Sequence, residues 1–409
     1  MSDDRTFVIV GASLAGAKAA ETLREEGFDG RVVLIGAEPD RPYERPPLSK
    51  GYLLGNDERE SVHVHEAGWY DEHKVELRLG TRVTAIDRTA HQVELDSGER
   101  LGYDRLLLTT GSVPRRLNLP GADLDNVLYL RYLPDCERIS AELHDGARVV
   151  IIGAGWIGLE VAASARGRGA EVTVVEVAAL PLQRVLGDEV ATLFANLHRA
   201  KGVDLRLSTG LREFRGTDGR VSAVVLDDGT ELPADAVVVG VGITPAVELA
   251  EAAGLDVDNG IKVDASLRTS DPDVFAAGDV ANSFNPRLGQ HIRVEHWANA
   301  LAGGPAAAKA MLGQDVTYDP VPYFFTDQYD MGMEYAGYTS AGNYDQVVFR
   351  GDPASGEYVA FWLAGGRVVA GMNVNVWDVS DEIQRIIRTG AQVDPAKLTD
   401  PNIPLTDLP

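Results

Sequence analysis

Two glycine-rich turns recur in the same setting, and together they confine the chain to a narrow set of folds. The first is FVIVGASLAG, Phe7 to Gly16; the second is RVVIIGAGWIG, Arg148 to Gly158. Each follows a short β-branched run and opens an alanine-rich helical stretch. Each is then followed by a second strand-like run ending in an acid, Glu38 or Glu176. The pattern predicts a βαβ unit at each place. In such a unit the first glycine makes the tight strand-to-helix turn. The second lets the backbone approach a pyrophosphate, and the third lets helix and strand pack closely. The N–H groups of the helix start face the phosphates, aided by the helix dipole. The acid accepts hydrogen bonds from a ribose. Two such units imply a protein that holds two dinucleotides.

The second copy is complete. Gly153, Gly155 and Gly158 occupy the three positions, and Glu176 follows Gly155 by 21 residues, close to the usual spacing of about 20. The first copy departs from the pattern. Gly11 and Gly16 are present, the middle position is Ser13, and Glu38 follows Ser13 by 25 residues. A Cβ at Ser13 requires a negative φ there. An ordinary glycine turn in a βαβ unit is the alternative reading of either copy taken alone.

Composition sets limits. At 409 residues the chain is long for one core, so two or three domains are expected. A hydrophobic content of 44% with 24% charged residues reads as soluble and globular. The net charge of −24 disfavours nucleic acid as a partner, because phosphate contacts need basic surface. The single cysteine, Cys136, precludes an intramolecular disulfide and a cysteine-rich metal site, and fits a reducing, cytoplasmic setting. Cys136 reads as a buried apolar residue on a helix. Asp3, Asp4 and Arg5 make a poor signal-peptide start. The most membrane-like stretch, Val149 to Ala165, contains the fingerprint glycines and Glu160, and falls short of a span of about 18 apolar residues. No membrane contact is expected. His63 and His65 alternate along a strand-like VHVH, but no third ligand has recognisable spacing, so no metal is expected.

The plan of the first unit repeats. Residues 1–110 read as βαβ, a Pro-rich loop ending in PPLSKGYLLG, strands with a DSG hairpin turn, and the buried run LLLTTG. Residues 111–245 repeat it with a DDG hairpin and the run VVVGVG. Short strands and the helix-like HWANALAGGPAAAKAML follow in 246–323. From 324 the pattern becomes a small antiparallel sheet followed by a helix. The fold class is α/β: two Rossmann-like dinucleotide-binding domains, the first formed by 1–110 with 246–323 and the second by 111–245, plus a small C-terminal α+β domain over 324–409.

The order of the motifs carries a resemblance. First fingerprint, PPLSKGYLLG, TTG, second fingerprint with IGLE, VGVGITP, TSDPDVFAAGDVA, EHWANA and FFTDQYDMGMEYAGY succeed one another. The chain resembles the NADH-dependent ferredoxin reductases of bacterial oxygenase systems, of the putidaredoxin reductase and biphenyl-dioxygenase ferredoxin reductase type. The resemblance covers nearly the whole chain. PPLSK together with the TDQY run is its narrowest part. It implies a fold like glutathione reductase, with FAD on the first fingerprint and NAD(H) on the second.

The site residues follow from the resemblance. FAD would be held by Gly11, Ser13, Leu14, Ala15 and Gly16 at the turn and by Glu38 at the adenosine ribose. Arg45, Lys50, Val83, Thr110, Gly111 and Arg131 would follow along the cofactor. Asp279 and Val280 would meet the ribityl chain, and Glu295, His296, Trp297 and Phe325, with Gln328, the isoalloxazine. Asp279 also reads as a plain turn aspartate, and the aromatics as core. NAD(H) would be held by Gly153, Gly155, Trp156, Ile157, Gly158, Glu160, Glu176, Arg184, Gly240, Val241 and Gly242. Lys50 and Glu160 are the catalytic candidates. The resemblance places Lys50 beside the flavin N5, where its charge would stabilise the reduced flavin. It places Glu160 at the nicotinamide amide, paired with Lys50 when the cofactor is absent. A lysine in a Pro-rich loop is otherwise a solvated residue, and a carboxylate near a helix start is otherwise favoured by the dipole. Glu176 favours NADH over NADPH, because a carboxylate accepts from a free 2′-OH and repels a 2′-phosphate.

Tyr43 to Lys50 reads YERPPLSK, with no cysteine where disulfide reductases and peroxidases of this fold carry theirs. The implied activity is hydride transfer from NADH to FAD, then release of single electrons to a 2Fe–2S ferredoxin. That ferredoxin would serve a cytochrome P-450 or a ring-hydroxylating oxygenase. Reduction of rubredoxin or another carrier, NADH oxidation by oxygen, and an apoptosis-inducing-factor-like role are the alternatives. Arg287, Arg293, Arg385 and Arg388 are candidates for a basic patch facing an acidic ferredoxin. Both a monomer and a homodimer are compatible with the sequence.

Overall fold

The computed structural model describes residues 3–409. The chain divides into two compact units. One comprises the residues up to Glu44 with Arg59–Val113 and Ile243–Pro320; the other comprises Arg45–Glu58, Pro114–Gly242 and Val321–Pro409.

The first unit is built on a five-stranded parallel sheet. Its strands run, in spatial order, Val274–Ala276, Arg105–Leu108, Thr6–Val10, Arg31–Ile35 and Val75–Arg78. Phe7, Val8, Ile9, Val32, Val33, Leu34, Leu106 and Leu107 are fully buried. Such unbroken apolar runs are what a parallel sheet covered on both faces requires. The helices Leu14–Glu25 and Trp297–Met311 pack against each other through alanine and glycine. A Cβ at Gly304 would stand 2.2 Å from the Ala15 carbonyl oxygen, so only glycine lets these helices approach so closely. A three-stranded antiparallel meander, Val83–Asp87, Gln92–Leu95 and Arg100–Gly102, precedes the buried strand Arg105–Leu108.

The second unit repeats this plan. Its parallel sheet runs Asp204–Arg206, Glu171–Val175, Arg148–Ile152, Ala236–Val239, Val127–Tyr129. Its meander is Leu211–Thr217, Arg220–Leu226 and Glu231–Pro233. One detail differs: the fifth strand enters last in the first sheet, after the meander, and first in the second sheet.

The same unit carries a five-stranded antiparallel sheet from the C-terminal segment. Its order is Tyr323–Gln328, Met331–Gly337, Arg367–Val374, Glu357–Ala364 and Gln346–Asp352. The helix Ser380–Thr389 buries Ile383 and Ile386 in this segment's core with Phe361, Leu363 and Leu398. Trp362 is fully buried, and its indole N–H donates to the Leu186 carbonyl at 3.0 Å.

One local expectation changes. The VHVH segment is not a strand: Arg59–Val62 is a 3-10 turn, and His63 makes only an isolated bridge to Tyr43. His65 instead stacks on Trp69 at 3.9 Å, and Trp69 stacks on His73 at 4.3 Å. No group of three or more potential ligands that could hold a metal occurs among the described residues. Among them, no helix is long and apolar enough to cross a membrane.

Candidate active site

At the first fingerprint the glycines are dictated by sterics. Gly11 has φ +119, and a Cβ there would lie 2.2 Å from the Thr109 carbonyl oxygen. A Cβ at Gly16 would lie 2.2 Å from the Gly11 carbonyl oxygen. The segment Thr109, Thr110 and Gly111, which follows the strand Arg105–Leu108, is thus packed onto the turn. The Thr109 hydroxyl donates to the Gly11 carbonyl at 2.8 Å, and the Thr110 hydroxyl to the Ala246 carbonyl at 2.9 Å. Ser13 has φ −126, so its side chain fits without strain. It caps no backbone N–H, and the first turn of the helix Leu14–Glu25 holds no acid. The helix itself thus places no anion at its positive end, an arrangement that suits a pyrophosphate.

In the same unit the Glu38 carboxylate accepts from the Tyr43 hydroxyl at 2.5 Å. Tyr43, not singled out in the sequence, thus fixes the carboxylate assigned to the ribose. Val83 opens the meander. Asp279 and Val280 form a 3-10 turn after the strand Val274–Ala276, with Gly278 at φ +78. Arg293 donates to the Asp279 carbonyl at 3.2 Å and pairs with Glu295 at 2.5 Å. His296 and Trp297 form the start of the helix Trp297–Met311. Burial pushes the His296 imidazole down to about 4, against a small opposing pull from Asp279.

The second fingerprint repeats the geometry. A Cβ at Gly153 (φ +101) would lie 2.4 Å from the Gly240 carbonyl oxygen, and one at Gly158 would lie 2.1 Å from the Gly153 carbonyl oxygen. The segment Gly240, Val241 and Gly242, which follows the strand Ala236–Val239, takes the place of Thr109 to Gly111. Gly155 has φ −78 and ψ −177, and nothing lies within 4 Å of a Cβ built on it. Its backbone does not require glycine, and the space beside it is open. Again the helix has no side-chain cap and no acid in its first turn. Glu176 accepts from the backbone N–H of Ala154 at 2.7 Å and of Ala178 at 2.9 Å. Its carboxylate is therefore held at the mouth of the turn. Ile157 is 45% exposed there, and Trp156 packs edge-on against Phe194 and Phe324. Arg184 is an exposed residue at the start of Gln183–Ala200, on the short turn before the helix breaks at Gly187.

Lys50 and Glu160 meet within this unit. The PPLS segment forms one 3-10 turn, Pro46–Ser49, that runs directly into Lys50 and the short helix Gly51–Leu54. The prolines fix φ and hold the lysine at a defined place. Lys50 Nζ lies 2.9 Å from Glu160 Oε2. The same oxygen accepts from the Ser49 hydroxyl at 2.5 Å, and Oε1 accepts from the Thr326 hydroxyl at 2.6 Å. Glu160 is only 3% exposed. An unpaired carboxylate so placed costs several kcal/mol, and these three donors offset that cost. Glu160 lies beyond the first helical turn, so the dipole is not what holds it. Ser49 and Thr326 were not legible as partners, because neither is near Glu160 in sequence.

The strand Tyr323–Gln328 sorts its side chains by parity, as strands do. Phe324, Thr326 and Gln328 are buried on one face. Phe325 lies on the other, with Lys50 Nζ 5.4 Å from its ring centroid. Asp327 shares that side. Its carboxyl is raised by desolvation, an effect Lys50 opposes and Glu160 reinforces. Gln328 therefore does not accompany Phe325. It bonds Thr326 and the buried His198. Arg45 donates to the Arg131 carbonyl and lies over the Tyr132 ring at 5.5 Å.

Of the FAD set, Arg45, Lys50, Arg131, Phe325 and Gln328 belong to the second unit and the rest to the first; the whole NAD(H) set belongs to the second. The four arginines suggested as a basic patch have internal roles. Arg287 pairs with Asp319 at 3.1 Å, and Arg293 with Glu295 as above. Arg385 pairs with Glu382 and donates to the Leu405 and Leu408 carbonyls, tying down the C-terminus. Arg388 donates to Gln384 at 3.3 Å.

Comparison with known proteins agrees with this geometry. Residues 5–304 match the family described as pyridine nucleotide-disulphide oxidoreductase, and residues 323–409 match the family described as reductase C-terminal. The chain is 45% identical to the anthranilate 1,2-dioxygenase system ferredoxin–NAD(+) reductase component of Burkholderia cepacia, over 98% of each chain. It is 39% identical to putidaredoxin reductase CamA of Pseudomonas putida, over 100% of this chain and 97% of that one. Among solved structures it is similar to the covalent putidaredoxin reductase–putidaredoxin complex, with a TM-score of 0.95 and 38% identity, covering 99% of this chain and 98% of that one. The chain belongs to the pyridine nucleotide-disulphide oxidoreductase family, and within it to the ferredoxin–NAD(+) reductases.

Proposed function

We propose that the chain is an FAD-dependent NADH:ferredoxin oxidoreductase that delivers electrons to a 2Fe–2S ferredoxin of an oxygenase system, a cytochrome P-450 or a ring-hydroxylating oxygenase. The carrying observation is the Lys50–Glu160 pair in a segment that holds no cysteine. The family name covers enzymes of disulphide chemistry, and this chain cannot perform it. Its one cysteine, Cys136, is fully buried on the helix Leu133–Glu142, and burial pushes its thiol up to about 12. Redox chemistry must then rest on a bound cofactor and an acceptor outside the chain.

The residues fit two dinucleotides. Gly11 to Gly16 with Glu38 would hold FAD, in a domain formed by 1–110 and 246–323. Gly153 to Gly158 with Glu176 would hold NAD(H), in 111–245. The uncapped, acid-free helix starts and the open space at Gly155 support this assignment. A bound FAD supplies the conversion of a two-electron hydride donor into one-electron delivery. Lys50 contributes a fixed positive charge for the reduced cofactor. Glu160 offers an acceptor to the nicotinamide carboxamide, and Glu176 selects the unphosphorylated ribose. A cytoplasmic setting belongs to the proposal, supported by the lone buried cysteine.

The test is NADH-driven cytochrome c reduction with and without added 2Fe–2S ferredoxin. A strong dependence on ferredoxin is expected. Equal rates without it would favour another electron carrier as acceptor, and turnover on oxygen alone would favour an oxidase.

A further inference from the structure

Glu160 is the end of a longer chain of hydrogen bonds. Thr326 donates to Glu160 Oε1 at 2.6 Å. Gln328 Nε2 donates to Thr326 Oγ1 at 3.2 Å, and Gln328 Oε1 faces His198 Nε2 at 2.8 Å. His198 Nδ1 faces the Tyr329 hydroxyl at 3.0 Å. Thr326, Gln328 and His198 are 0%, 1% and 0% exposed, so water does not replace a lost partner.

The direction of every bond is forced. Glu160 is paired with the Lys50 ammonium, so its carboxylate can only accept. The single Thr326 proton therefore goes to Glu160, and Thr326 must accept from the Gln328 amide. That leaves the Gln328 carbonyl facing His198, so Nε2 must carry the ring proton. Nδ1 is then bare and accepts from Tyr329. Burial lowers the His198 pKa to about 4, which keeps the ring in this neutral state. The primary amide in the middle makes the chain a poor proton path and a good orienting device.

We propose that His198, Gln328 and Thr326 are positioning residues for Glu160, forming a one-way donor chain from Tyr329 that holds the carboxylate in place as an acceptor. With Ser49 on the other oxygen, Glu160 keeps two partners that do not depend on Lys50. Lys50 is then free to exchange its carboxylate for a cofactor without leaving Glu160 stranded. The role in turnover rests on the proposed function; the proton arrangement does not.

Two measurements test it. Long-range nitrogen–proton NMR on histidine-labelled protein should show His198 as the neutral Nε2–H tautomer near pH 7, with that preference lost in Gln328→Leu. Anaerobic stopped-flow should show NADH-driven bleaching of the FAD-loaded protein slowed about five- to tenfold in His198→Phe. The half-saturating NADH concentration should change by less than about twofold, the pattern of an interaction felt beyond ground-state binding. His198→Gln places an amide N–H where Nε2 stood and should restore the rate; His198→Asn reaches only the Nδ1 position and should not. An Nδ1–H tautomer, a wild-type rate in His198→Phe, or equal rates in the Gln and Asn variants would each overturn the proposal. If NADH fails to bleach the wild-type protein, the functional reading fails instead, and the tautomer alone decides whether the chain exists.

Discussion

Lys50 Nζ stands 2.9 Å from Glu160 Oε2, and each residue is nearly closed off from solvent, with side-chain exposures of 14% and 4%. A loop lysine and a helix glutamate are thereby made into one unit. Breaking a buried pair from one side costs about 3 kcal/mol or more, because the remaining buried charge loses its counter-charge and keeps only neutral hydrogen-bond donors. Lys50→Met should therefore lower the denaturation midpoint clearly. The double variant Lys50→Met/Glu160→Gln should recover part of the loss. A double-mutant cycle with no coupling would show the pair to be energetically idle.

Glu176 is held by two backbone N–H groups at the mouth of the second glycine turn, where it would meet the ribose. On the proposed assignment, its replacement by alanine would remove the acceptor for the ribose 2′-OH and the repulsion of a 2′-phosphate. The ratio of kcat/KM for NADH over NADPH should fall by about 10- to 100-fold. An unchanged ratio would move the source of selectivity elsewhere.

Gly153 and Gly155 separate fold from ligand. Gly153→Ala puts a methyl group 2.4 Å from a backbone oxygen at φ +101 and should impair folding. Gly155→Ala meets nothing within 4 Å and should leave the unfolding free energy within about 0.5 kcal/mol of wild type. It should still weaken NADH binding. Calorimetry on both variants distinguishes the two roles.

His198 makes stability depend on pH in a definite window. Its folded value of about 4 lies below its ordinary 6.5. Above pH 6.5 neither state binds the proton, and the contribution is complete. As pH falls from 6.5 to 4 the unfolded chain takes up a proton that the fold excludes, so stability falls, by about 3 kcal/mol in all. Below 4 the loss stops. His198→Gln should be less acid-sensitive than wild type across this window. Parallel stability profiles from pH 7 to 4.5 would contradict the burial argument.

The duplicated plan was legible in the sequence because its signals are local. Gly11, Gly153 and the runs LLLTTG and VVVGVG each report a backbone constraint within a few residues. The negative φ demanded by Ser13 is present. The surroundings of Glu160 were not legible, because Ser49 and Thr326 come from distant segments and carry no spacing signal. His198 had a faint one: it follows Phe194 by one helical turn on the buried face of Gln183–Ala200, where a polar residue needs a partner. VHVH misled because alternation over four residues is too short to separate a strand from a turn.

The central claim is that the chain takes electrons in pairs and releases them singly to an iron–sulfur protein. It is tested most directly by mixing one equivalent of NADH anaerobically with FAD-loaded protein and excess oxidised 2Fe–2S ferredoxin. The account predicts two equivalents of reduced ferredoxin for each NADH consumed. NADH consumed with the ferredoxin left oxidised would contradict it.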